Sequence, residues 1–279
     1  MTNIPAPCDT ASAFAPPGSP TIRNVNWGGL KTLYLKEVRR FLKVQLQTVW
    51  APAINSLLFL VIFTVAQGRG GRLMGGVPFA DFIAPGLIIM SMMQQSFANS
   101  SFALLVAKVQ GTIVDYLMPP LSAGELLSAM VGAAVTRAVM VGGASWLVML
   151  IWPGVHMWVQ HPVEVIFFGL AGSMLLAFMG VLTSMWAEKF DHTTTIANFV
   201  VAPLALLSGT FYSIDRLAPI FATISRINPF HYAISGFRYG FIGTADSPLA
   251  TGVSYLLTLD LVLGLACYIL LRRGWKLRN

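Results

Sequence analysis

Long apolar runs recur along this chain at the ~20 residues that a helix needs to cross a bilayer, and nothing else constrains its fold as much. They cover about Trp50–Ala66, Phe82–Leu105, Met130–Trp152, Val165–Trp186, a run opening near Thr194, and Val253–Leu271. With 56% hydrophobic and only 10% charged residues in 279, the chain lies well below the ~25% charge of soluble proteins. In hydrocarbon every backbone N–H and C=O needs a partner within the protein, which makes helices the spanning element for such runs. The expected fold is an all-α polytopic membrane protein with six transmembrane helices, an N-terminal interfacial helix, and a re-entrant or surface-lying helical hairpin between spans five and six. The expected segments are a disordered tail at 1–26, a six-span unit at 27–271 and a basic tail at 272–279.

The net charge of +7 sits at the ends. Residues 1–49 hold six Lys/Arg against Asp9 and Glu37, and the tail from Arg272 holds four. Basic charge confined to membrane flanks fits the positive-inside rule better than nucleic-acid binding, and places both termini in the cytoplasm. Lys108 and Lys189 fall on the same side, whereas Arg69, Arg72, Arg216, Arg226 and Arg238 fall outside and Arg137 lies within a span. Cys8 and Cys267 form no disulfide or metal spacing.

Along the chain, residues 1–26 lack apolar periodicity and have no signal-peptide core. From Leu30 to Leu46 apolar residues occupy one helical face, with Lys31, Lys36, Arg39, Arg40 and Lys43 largely on the others. That pattern suits a basic amphipathic helix at the membrane surface, in contact with lipid head groups. The second run carries Gln94, Gln95 and Asn99, readable as interhelical hydrogen-bonding groups or as a polar cargo path. In the loop after it, a short helix is expected from Val109 to Met118, ended by Pro119-Pro120. A further helix starts near Ser122, with Glu125 as its capping-box partner. Arg137 either snorkels to head groups or charges a cavity. Trp152 and Trp158 suit interfacial anchoring, and His156 and His161 lack the third ligand of a metal site. Gly169, Ser173 and Ala177 give the fourth span a small-residue face.

The stretch Asn198–Gly243 is the most irregular. Its apolar run breaks at Ser208-Gly209-Thr210, and roughly forty residues pass before the next span, too long for a plain loop. Apolar residues from Phe211 to Ile227 recur at helical spacing. Asn228-Pro229 then marks a turn, because the residue before proline is forced out of the α region, and His231–Phe241 reads as a second short helix. Such backbone at membrane depth must be buried in protein or line a cavity.

The runs SGTFYS and INPFHYAISGFRYGF, with Leu-Ala-Pro between them, resemble the C-terminal signature of type-2 ABC export permeases. More narrowly, they are similar to the small inner-membrane transport permease group. The resemblance covers about Trp27 to the C-terminus. It implies a homodimer, with two separate ABC ATPase subunits that supply ATP and magnesium, and no cofactor in this chain. It also implies that the helix before the first span is a connecting helix and that the 109–118 loop is an ATPase-coupling helix. Val109, Ile113, Asp115, Tyr116 and Met118 would carry that coupling. Leu207, Ser208, Gly209, Phe211 and Tyr212 would form the dimer seam and outer gate, and Asn228, Pro229 and Phe230 the re-entrant turn.

The sequence contains no GxxxxGK[ST] phosphate loop and no triad or paired-carboxylate arrangement. An ion-coupled carrier is the alternative, because broken helices and intramembrane polar groups occur in such proteins. Asp260 is the deepest acid, but a proton relay usually needs more than one, and no inverted repeat is visible. A membrane-embedded enzyme remains only by exclusion.

Overall fold

A computed structural model describes residues 25–66, 73–74, 76–211 and 219–276. Nearly all of it is helical: α1 (Trp27–Leu42), α2 (Ala51–Ala66), α3 (Phe79–Val109), α4 (Val114–Leu117), α5 (Ala123–Met149) and α6 (Pro162–Trp186). There follow α7 (Phe190–Ile196), α8 (Ala202–Leu206), α9 (Pro219–Ile227), α10 (Pro229–Ile242) and α11 (Leu249–Arg273). Leu46–Trp50 and Ala197–Val201 are π-helical turns leading into α2 and α8. The strands among the described residues are the short antiparallel pair β1 (Leu73–Met74) and β2 (Val77–Pro78). The expected all-α membrane fold is thus observed.

Among the described residues, four helical stretches have the length and apolarity to cross a membrane: Leu46–Ala66, Ala123–Met149, Pro162–Trp186 and Leu249–Arg273. Two of the expected six fall outside this set. At 31 residues, α3 is about 46 Å long, but its polar second half lowers its apolar character. The fifth run is divided among α7, the π turn and α8.

The central element is α3, buried along most of its length from Phe79 to Ala107 and packed against α5, α6 and α10. The small-residue face expected on α6 meets it: Gly169 faces Met92, Ser173 and Ala177 are fully buried, and Ser96 Oγ donates to Ser173 O at 2.7 Å. At its far end Lys108 Nζ donates to Ser184 O (3.0 Å) and Met185 O (2.5 Å). It thereby satisfies carbonyls that α6 leaves open at its C-terminus.

Local signals start the elements where expected. Asn26 caps α1 through Oδ1, which accepts from Gly29 N at 2.9 Å. The Ser122–Glu125 capping box is present at α5, so the third span starts at Ala123 rather than Met130. Pro162 and Pro229 open α6 and α10, where a missing N–H costs nothing.

Candidate functional site

The loop between α3 and α5 differs from the expected single helix Val109–Met118. Val109 still belongs to α3, the chain turns at Gly111 with φ +72°, and the helix is only Val114–Leu117. Its side chains divide into two sets. Val114, Asp115, Leu117 and Met118 face outward, Met118 with 77% exposure, while Ile113 is half-buried. Tyr116 turns inward, contrary to its expected role as an outward contact. Its hydroxyl donates to Glu37 Oε1 at 2.8 Å, and Lys36 Nζ lies 3.9 Å from its ring centre. Burial first, and then the adjacent Glu37 carboxylate, push the Tyr116 phenol above its ordinary pKa, so it remains the donor.

Glu37 is on the buried face of α1 and pairs with Arg40 Nη2 at 2.9 Å. Arg40 in turn donates to the Asn99 carbonyl of α3 at 3.1 Å. Asn26 N donates to Glu125 Oε1 at 2.5 Å, and Asn26 Nδ2 to Pro120 O at 3.2 Å. The α1 helix, the α4 loop and the start of α5 are therefore held together by polar contacts around two buried carboxylates, Glu37 and Glu125. The one sequence signal for Glu37 is its place on the apolar face of α1, four residues from both Leu33 and Phe41.

The polar set of the second run is mostly interhelical. Gln95 accepts from Arg137, and Asn99 is held by Arg40. Of the three possible cargo-path residues, Gln94 lines an open cleft of about 310 Å³ with Ser101, Thr193, Thr194 and Asn198, and Asn99 a smaller one of about 170 Å³ with Arg40 and Arg137. Arg137 is half-buried and paired across helices with Gln95.

The break after α8 is the second feature. Four of its carbonyls find donors on the hairpin. Asn228 Nδ2 donates to Leu204 O (2.6 Å) and Ser225 Oγ to Leu207 O (2.7 Å). Arg238 Nη2 reaches Gly209 O (2.9 Å) and Thr210 O (3.4 Å). Arg238 is 0% exposed. Its Nε donates to Phe82 O at 3.1 Å, its charge pairs with Asp246, and its guanidinium stacks 3.9 Å from the Phe82 ring centre. Unwound backbone away from water requires such internal partners. Gly209 has φ +84°, a conformation that side chains with a Cβ resist.

Ser208 and Gly209 consequently point into their own chain, and Ser208 and Thr210 are fully buried, so they do not offer the expected seam surface. Leu207 and Phe211 are half-buried, with Phe211 against the Phe63 ring at 4.5 Å. Tyr212 lies outside the described residues. Outward apolar surface on this stretch belongs to Phe199, Val200 and Leu206. At the Asn228-Pro229 turn, Asn228 Oδ1 accepts from Phe230 N at 3.0 Å, and Phe230 is buried. In the hairpin α9 exposes Ile220, Ile224 and Ile227, whereas α10 is buried against α6, α3 and α11. A side chain at Gly236 would run into the Phe168 ring.

Three isolated features remain. His156 is exposed and His161 stacks on Tyr239 with ring centres 4.8 Å apart; no group of three metal-binding side chains occurs among the described residues. Asp260 is 4% exposed, and neither carboxylate oxygen has a partner among the described residues.

Apolar helices of spanning length, an anchored α4 loop and a buried α10 before α11 define a polytopic membrane protein. The ABC-2 type transporter family profile matches residues 29–242. The chain is 34% identical over 255 residues to the inner membrane transport permease YadH of Escherichia coli K12, covering 91% of this chain and 98% of that one. It is 24% identical to nodulation protein J of Rhizobium leguminosarum bv. viciae, over 80% of this chain and 87% of that one. The chain belongs to the ABC-2 transporter family, as a permease subunit that works with ABC ATPase subunits.

Proposed function

We propose that this chain is the membrane half of an ABC exporter in a bacterial inner membrane, moving a lipid-like, saccharide or drug-like cargo. Two copies pair, both termini face the cytoplasm, and ATP with magnesium is bound in the separate ATPase subunits. The observation that carries this reading is the divided α4 loop. Val114, Asp115, Leu117 and Met118 are presented outward as a small apolar patch with one acid, while Tyr116 locks the loop to α1. A patch on a loop anchored from behind suits insertion into a partner groove and transmission of its movement. The likeness to an inner membrane transport permease over nearly its whole length supports the location. The outward face of Phe199 and Leu206 is the surface we assign to the second copy, replacing Ser208 and Gly209 in that role.

Co-reconstitution with the neighbouring-gene ATPase tests the reading. Leu117→Asp with Met118→Asp is expected to weaken association by about 2 kcal/mol or more, ~30-fold, since a few central residues dominate such contacts. ATPase activity in liposomes should lose its dependence on the permease. Association and coupling equal to the unsubstituted protein would remove α4 from the docking role, and transport driven by an ion gradient alone would favour the carrier.

A further inference from the structure

The seam between α5 and α6 is not used by any step above. Two clefts, of about 300 and 440 Å³, run along it and meet at Leu170. On α6 they extend from Val165 to Phe178, about 20 Å at 1.5 Å per residue. The walls are almost entirely apolar. Both helices have the length and apolarity of membrane spans, so the medium outside the seam is hydrocarbon rather than water. Gly143 lines the first cleft, and no atom lies within 4 Å of where its Cβ would be. The cleft is thus open where an ordinary side chain would have closed it.

A second observation points to the chemistry of the occupant. Trp146 lines the same cleft near the end of α5, and its buried indole Nε1 has no hydrogen-bond partner among the described residues. A buried donor without an acceptor costs about 1–3 kcal/mol. Tryptophan N–H groups near the ends of spans face the depth at which lipid carbonyls lie. We infer that the α5–α6 seam binds one acyl chain of a bilayer phospholipid, whose ester carbonyl accepts from the Trp146 indole once the ring turns into the cleft. The inference rests on α5 and α6 being spans; it does not depend on ATPase docking or on the cargo.

The full-length chain in nanodiscs of phosphatidylethanolamine and phosphatidylglycerol, with a phospholipid carrying a mid-chain diazirine, provides the test. Adducts mapped by mass spectrometry are expected in the segments 139–146 and 163–170, several-fold above those on the outward face of α2 at Ile54, Leu58 and Ile62. Gly143→Leu fills open space and should insert normally, yet reduce seam labelling about 10-fold while leaving α2 labelling unchanged. Trp146→Phe should reduce it about 2–10-fold. Should Gly143→Leu fail to accumulate, Leu170→Trp blocks the junction of the two clefts and is read in the same way. Equal labelling of both faces, or seam labelling indifferent to the blocking variant, would overturn the inference. So would cross-linking of a cysteine at position 143 to a second copy or to another protein's helix.

Discussion

Arg238 Nη2 lies 2.9 Å from the carbonyl oxygen of Gly209, joining the hairpin to the point where the preceding helix breaks. The same guanidinium holds Phe82 O on α3 and the Asp246 carboxylate before α11. One buried side chain on α10 therefore ties together the break after α8, the start of α3 and the segment before α11. A planar five-donor group can do this, whereas a lysine ammonium cannot reach acceptors in these directions.

Arg238→Met is accordingly expected to destabilise the protein by about 3–5 kcal/mol, the scale for stripping one partner from a buried ion pair. Arg238→Lys should recover only part of this. Thermal unfolding of the purified variants in detergent checks the order; a lysine variant as stable as the unsubstituted protein would refute the clamp.

Gly209 answers to a different constraint. Its φ of +84° costs an ordinary L-residue about 1–2 kcal/mol, while asparagine tolerates positive φ better. Gly209→Leu should lower the melting temperature and transport together, and Gly209→Asn should do so less. Equal effects of the two would show that bulk, and not backbone conformation, is limiting.

The Tyr116 hydroxyl is a third point of leverage. Tyr116→Phe leaves the ring packed but removes the donor to Glu37, an expected loss of about 1–3 kcal/mol. Because the outward residues of α4 are untouched, ATPase association should persist while the coupling of hydrolysis to the permease declines. Hydrolysis rates in co-reconstituted liposomes separate the two; loss of association would mean that the hydroxyl merely shapes the loop.

Topology is open to direct labelling. In a background lacking Cys8 and Cys267, a cysteine at Pro248 should react with an impermeant thiol reagent applied outside sealed cells. A cysteine at Gln110, which is exposed, should react only after permeabilisation. The reverse pattern would invert the orientation.

Periodicity and caps carried much of this fold in the sequence. The amphipathic α1, the Ser122–Glu125 start of α5 and the Asn228-Pro229 turn are local signals, each fixed by residues within a few positions. Gly111 was harder to read, because a glycine inside a helical pattern does not reveal its φ. The buried polar contacts were not legible, because they join residues far apart in the chain. Arg238 reads as an outer-side arginine on the second hairpin helix until α10 folds against Phe82, and Glu37 as a surface acid until Tyr116 meets it. Ser208 and Gly209 were correctly located as a break, but their inward orientation depends on the donors from Ser225, Asn228 and Arg238. The 2.7 Å bond from Ser225 to Leu207 O spans two elements and has no sequence period.

The central claim is that α4 meets an ATPase, and an in-cell photo-cross-link at Met118 tests it most directly. A photoreactive phenylalanine analogue replacing this 77%-exposed residue should yield, on irradiation, a covalent adduct with an ABC ATPase subunit identified by mass spectrometry. The same analogue at the membrane-facing residue Val163 should yield none. Absence of the ATPase adduct at Met118 in cells that express both proteins, or an equal adduct at Val163, would contradict the account.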